Sequence, residues 1–222
     1  MESIDFNPFF LSLKLGFVTT VLLFFIGIPL GYFIAYSKVR FKSVFEALIA
    51  LPLVLPPTVL GFYLLLLFNK RGLLGSLWEK ISGHQLAFHF EGLVAASLIF
   101  SLPFMVHPLI SGFKSVDRSL IEASYTLGKT KLQTLFRVIL PNMKPSVITG
   151  IVLTFAHTIG EFGVVLMVGG NIEGETKVVS IAIYDAVESL DYTSAHIYSA
   201  ILVAISFFTL LVVYILNKRF EV

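Results

Sequence analysis

Five stretches of this chain run for roughly 20 or more mainly apolar residues, the length a helix needs to cross the ~30 Å hydrocarbon core of a bilayer. They lie at 12–36, 45–69, 92–112, 146–169 and 195–217. With 56% hydrophobic and 14% charged residues, the chain cannot clothe itself with an ordinary water-soluble surface. In lipid the backbone must satisfy its own polar groups, and helices do this within one segment. The sequence therefore predicts an all-α integral membrane protein with five transmembrane helices. The intervening segments 37–44, 70–91, 113–145 and 170–194 read as loops too short for a separate soluble domain, so residues 1–222 are expected to form one membrane domain. Glu2 and Asp5 stand where a cleaved signal would need basic residues, so the first stretch is expected to be retained as a span.

Basic residues near span ends stay on the cytoplasmic side. One side collects Lys38, Arg40, Lys42, Lys114, Arg118, Lys129, Lys131, Arg137, Lys144, Lys218 and Arg219; the other holds only Lys14, Lys70, Arg71, Lys80 and Lys177. That second side also carries Glu173, Glu175, Asp185, Glu188 and Asp191. The asymmetry predicts an N-terminus outside, with the 113–145 segment and the C-terminus inside. A net charge of +2 gives no reason to expect nucleic acid as a partner, and the absence of cysteine excludes disulfides and thiolate chemistry. No cofactor pattern is visible, and no cluster has metal-ligand spacing.

The inner segment from Val116 to Pro145 reads as two short helices. Ser119 and Glu122 have capping-box spacing, Gly128 suits a helix C-terminus, Thr130 and Gln133 repeat the capping pattern, and Pro141 is expected to stop the second helix. Apolar and basic residues alternate in both, which fits either an interfacial hairpin or a docking surface. Glu122-Ala123-Ser124, Gly128 and Val138-Ile139-Leu140-Pro141 resemble the EAA loop of ABC importer permeases, departing from it at Ser124 and Val138. The resemblance implies a type I importer permease fold in which Glu122, Ala123, Ser124, Gly128, Leu140 and Pro141 belong to a coupling helix pair that docks on a cytoplasmic ATPase. Gly128-Lys129-Thr130 also looks like the end of a phosphate-binding loop, but that motif needs Gly where Ala123 stands and a strand before it. ATP hydrolysis is therefore expected on a partner, and the chain itself is not expected to be an enzyme.

Within the spans, Thr154, His157, Thr158 and Glu161 are spaced to share one helical face. An ionisable group inside the membrane costs roughly 2.5 to 3.5 kcal/mol on insertion scales and should face protein or water. Glu161 lies about 22 Å along the helix from Ser146, nearer the outer surface. It could pair with His157 or a backbone donor to fix packing, or line a path or gate. Pro52, Pro56 and Pro57 in the second span, and more weakly Pro103 and Pro108 around His107 in the third, predict bends; a plain kink and a broken helix lining a cavity both remain open.

The Leu51-Pro52-Leu53-Val54-Leu55-Pro56-Pro57 run, Arg71-Gly72 with Gly75, Gly160-Glu161-Phe162-Gly163, and Asn171-Ile172 with Gly174-Glu175-Thr176 look like the pattern of molybdate permeases. Sulfate and tungstate permeases share the EAA loop. The resemblance implies a homodimer in lipid, an ATPase dimer on the cytoplasmic side, and an extracytoplasmic molybdate-binding protein. Pro56, Pro57, Thr154, His157, Thr158 and Glu161 become expected path or gate residues, with Thr hydroxyls and backbone N–H groups receiving the oxyanion. Two readings from other classes are an intramembrane enzyme using His157 and Glu161 as acid and base, which lacks a nucleophile or metal beside them, and a membrane scaffold.

Overall fold

The computed structural model describes residues 5–37 and 40–218, with side chains to Ile215. Glu2, Lys38, Arg219 and the Lys218 side chain, used above for retention and orientation, lie outside the described residues. All regular structure among the described residues is helical. Two helices are each long and apolar enough to cross a membrane alone: α1 (Asn7–Tyr36) and α12 (Tyr192–Lys218). Three further crossings arise only if bent helix pairs each count as one span, giving up to five.

The first pair is α2 (Lys42–Val54) and α3 (Pro57–Phe68), set at 111° to each other. Leu55 and Pro56 each precede a proline, which disfavours the helical region, and both adopt extended backbone (ψ 137° and 134°). The break is thus sharper than the bend expected within a single 45–69 span. After α4 (Leu73–Ser82), the second pair, α5 (Phe90–Phe100) and α6 (Leu102–Ser115), bends by 40° ahead of Pro103. The 113–145 segment forms α7 (Arg118–Thr126) and α8 (Lys131–Asn142), and α8 meets α9 (Lys144–Gly160) at 80°.

The predicted fourth span is not continuous either. It stops at Gly160, Glu161 turns extended, and α10 (Gly163–Gly169) begins two residues later. Two helices stand where loops were expected: α4 within 70–91 and α11 (Val179–Glu188) within 170–194. Both are about ten residues long, too short to register in a search for transmembrane lengths.

The two largest buried clusters are labelled outer and inner for the membrane sides that the basic residues predict. Leu15, Leu64, Phe68, Leu93, Val164 and Val168 join α1, α3, α5 and α10 in the first. Leu23, Met105, Leu109, Phe113, Ile139 and Met143 join α1, α6, α8 and the start of α9 in the second. Gly27 lets α1 lie close to α6: a Cβ there would come within 2.8 Å of Met105 Cγ. Around these cores large apolar side chains point outward, among them Phe17, Phe25, Phe207, Phe208 and Tyr214, and only 11% of the α12 apolar window is buried. Such a surface suits lipid or a neighbouring membrane helix, not water.

Candidate functional site

The 113–145 segment carries a braced, exposed hairpin. Its first helix is capped by Asp117, whose carboxylate accepts the Ser119 N–H at 2.8 Å; the backbone donor holds the acid below its ordinary pKa. The expected Ser119–Glu122 box is replaced by a single aspartate cap two residues earlier, because Asp117 lies at the true entry to the helix. At the other end Gly128 has φ +74°, its N–H donates to Tyr125 O and the Lys129 N–H to Ser124 O, a complete Schellman turn. The Thr130–Gln133 capping box forms as predicted.

Ser124 gives the hairpin its internal tie. Its hydroxyl lies 2.9 Å from the Thr134 hydroxyl, and both side chains are buried. The serine that departs from the EAA pattern thus has a matched partner on the facing helix, a pairing invisible without the fold. Glu122 and Ala123 stay exposed beside it.

Pro141 does not stop α8, which runs to Asn142. Lacking an N–H, proline cannot donate to the carbonyl four residues back; over Leu135–Ile139 the helix widens into a π turn in which Leu140 N–H reaches Leu135 O. The Asn142 side chain satisfies Val138 O at 2.7 Å. Ile139 and Met143 then enter the inner core at about 1% exposure, so movement of the hairpin must be felt by α1 and α6.

The second candidate lies at the helix breaks. Pro52, Leu53 and Pro57 face Phe104, His157 and Glu161 across a cleft of about 190 Å³. Of the expected path residues, Pro57, His157 and Glu161 line it together. Pro56 is exposed beside the break but is not in the lining, whereas Thr154 and Thr158 are buried behind His157. The Thr158 hydroxyl donates to Thr154 O at 2.8 Å and lies 2.9 Å from Ser101 Oγ, which is 3.4 Å from His157 Nδ1. With the Thr158 proton committed to Thr154 O, Ser101 is the donor in its contact with Thr158. Phe104 holds the imidazole face at a centroid distance of 3.9 Å.

Glu161 serves the backbone rather than His157: its Oε1 accepts the Val164 N–H at 3.1 Å, and its own carbonyl accepts from the Ser180 hydroxyl at 2.8 Å. The two breaks also touch. A Cβ on Gly163 would lie 2.7 Å from Pro57 Cβ, and one on Gly61 2.8 Å from Met167 Cβ, so α3 and α10 are held as one close-packed pair. Sequence spacing missed Ser101 and Phe104, whose roles depend on α6 crossing α9.

On the other end of the molecule, the Asn171–Thr176 motif is a tied loop. Asn171 donates to both oxygens of Asp185, Gly174 has φ +75°, Glu175 accepts the Phe90 N–H at the start of α5, and Thr176 donates to Gly169 O. Lys177 reaches Asp185 at 2.8 Å, a hydrogen bond that raises its pKa above the ordinary lysine value.

Comparison with known proteins agrees with this architecture. Residues 27–222 match the family described as the binding-protein-dependent transport system inner membrane component. The molybdenum transport system permease protein ModB of Azotobacter vinelandii is 44% identical over 95% of this chain and 93% of its own. ModB of Escherichia coli K12 is 33% identical, covering 83% and 81% respectively. A probable sulfate transport system permease protein, cysT, of Chlorokybus atmophyticus is 31% identical over 94% of this chain and 73% of its own. Among solved structures, a bacterial ABC transporter that imports alginate superposes with a TM-score of 0.78 at 16% identity, covering 99% of this chain and 80% of that one. The inward-facing methionine transporter MetNI gives 0.74 at 16% identity, covering 97% and 95%. The fold is that of ABC importer permeases, and the chain belongs to the family of binding-protein-dependent transport system inner membrane components.

Proposed function

We propose that this chain is the membrane-spanning subunit of an ATP-driven importer that carries molybdate from an extracytoplasmic binding protein into the cytoplasm. The observation that carries the substrate is the 44% identity to ModB, spread over nearly the full length of both chains. Family membership sets aside the enzyme and scaffold readings, with ATP hydrolysis on a separate ATPase subunit. Two copies would enclose the path, each offering its α7–α8 hairpin to one ATPase of a dimer. The exposed Glu122–Ala123 edge would contact that ATPase, with Ser124, Gly128, Leu140 and Pro141 shaping and anchoring the hairpin.

The five crossings rest on apolar length, and their orientation, N-terminus outside and C-terminus inside, on the distribution of basic residues. Because the chain has no cysteine, single substitutions at Ser119 and Glu173 can be labelled with an impermeant thiol reagent in intact cells. Glu173→Cys is expected to react and Ser119→Cys only after permeabilisation; the reverse pattern contradicts the orientation.

In transport, ATPase closure pushes the hairpin, the inner core passes the push to α1 and α6, and the α3–α10 pair turns about the breaks at Leu55–Pro56 and Glu161–Phe162. The cleft between them acts as a gate. Its proline, aromatic and carboxylate lining is not a resting place for a dianion; the Thr158 hydroxyl is bonded to Thr154 O and Ser101, and the Thr154 hydroxyl, which has no hydrogen-bond partner, is buried outside the lining. The oxyanion therefore passes without a deep site in this subunit.

Sulfate is the second reading, favoured by the 31% identity to the sulfate permease cysT. Competition of unlabelled sulfate and tungstate against labelled molybdate uptake separates them: a large excess of sulfate leaves uptake nearly unchanged if the system is a molybdate importer and abolishes it if sulfate is the cargo.

A further inference from the structure

A groove between α1 and α8 plays no part in the gate or the ATPase contact. Phe24, Phe25, Ile28 and Tyr32 of α1 form one wall, Leu132 and Phe136 of α8 the other, around a volume of about 420 Å³. Phe25, Leu132 and Phe136 are each more than 60% exposed, so these walls remain uncovered. From Phe24 to Tyr32 the groove runs about 12 Å along α1, close to the ~15 Å that one leaflet contributes to the ~30 Å core. At Phe24 and Phe25 it opens into a second apolar recess of about 500 Å³ reaching Ile151, Phe155 and Thr209.

Lys131 is the one charged residue among those lining the groove. It stands at the start of α8, with Lys129 and Arg137 exposed on the same segment. An apolar helix from a second copy would press the Lys131 ammonium against hydrocarbon with no counter-charge. A phospholipid fills the groove with an acyl chain and meets the ammonium with its phosphate, supplying both the length and the charge.

We infer that this groove binds an anionic phospholipid of the inner leaflet, acyl chain between α1 and α8 and headgroup on Lys131. The leaflet follows from the orientation proposed above, which cysteine labelling tests separately. The lipid then bridges α1 and the coupling hairpin, so that membrane composition bears on how firmly the hairpin is held.

The test uses the full chain in vesicles carrying a trace of phosphatidylglycerol or phosphatidylcholine with a photoreactive acyl chain, and maps labelled peptides by mass spectrometry; neither ATP nor substrate is needed. Labelling is expected on the 24–32 and 132–136 peptides, about fivefold stronger from phosphatidylglycerol. Lys131→Gln should bring the two lipids level, and Lys131→Arg should keep the preference, with both variants eluting as the wild-type assembly. Equal labelling of wild type by the two lipids overturns the headgroup assignment. An unlabelled groove overturns the site, and a disulfide between copies carrying Phe25→Cys would then identify a second copy as its occupant.

Discussion

Ser124 and Thr134 illustrate how one residue's meaning depends on a partner ten positions away. Their hydroxyls are buried and bonded to each other, so removing one leaves the other to lose its bond. Ser124→Ala or Thr134→Val alone should each cost about 1 kcal/mol or more, and the double variant less than the sum, read as thermal unfolding of the purified protein. Strict additivity would mean that the pair contributes nothing. Glu161 offers a second test. Glutamine retains the oxygen that accepts the Val164 N–H, whereas alanine does not. Glu161→Gln should therefore keep most uptake and Glu161→Ala lose at least about tenfold, a factor worth about 1.4 kcal/mol. Equal loss in both would assign the role to the negative charge instead. The sequence reading identified Glu161 as an intramembrane carboxylate that could pair with His157 or with a backbone donor, and spacing alone did not choose between them. The break after Gly160 decides for the backbone.

Among the elements, the broken helices carry most of the consequence. Pre-proline stereochemistry made a bend in the second span legible at Pro56 and Pro57, but its 111° magnitude depends on α3 packing against α10 through Gly61 and Gly163. Gly163→Leu should overpack that contact, costing roughly 1 to 3 kcal/mol, and lower uptake more than it lowers the amount of assembled protein. Uptake that falls only in step with assembly would argue against a moving α3–α10 pair. The hairpin's turns at Gly128 and Thr130 were readable because capping chemistry is local. The π turn ahead of Pro141 was not, since the choice between ending and widening a helix is made by the burial of Ile139 and Met143. Likewise α4 and α11 are stabilised by their attachment to the ends of spans, which no local pattern announces. The Lys177–Asp185 clamp ties the loop to α11 at 2.8 Å. With the lysine pKa raised, its contribution is complete below the ordinary lysine value and is lost as the pH climbs through the raised one. Loop mobility near Lys177 should therefore stay constant through neutral pH and increase only in strong alkali, as read by a spin label at the exposed Ile172, which leaves the Lys177 partners Asp185 and Glu173 in place; loosening near neutrality would contradict the clamp.

At the scale of the whole molecule, α1 contributes to both cores, linking the exposed hairpin, anchored in the inner one, to the cleft, which is lined by Phe100 and Val164 of the outer one. The class was legible because apolar length, charge asymmetry and EAA spacing are properties of the chain alone. The lining of the cleft was not, because neighbours such as Phe100 and Phe104 are brought in by α5 and α6. The central claim is that ATP-driven movement of the hairpin opens a path for molybdate. It is tested most directly by measuring radiolabelled molybdate uptake and ATP hydrolysis together in vesicles holding this chain, its ATPase and the binding protein, for wild type and for Gly128→Val. A β-branched residue at φ +74° distorts the hairpin turn without touching the cleft. The account predicts ATP-dependent uptake by wild type and, in the variant, uptake lost by at least about tenfold while the protein remains assembled and the ATPase loses its stimulation by loaded binding protein. Unchanged uptake in Gly128→Val, or no molybdate uptake by assembled wild type, would contradict it.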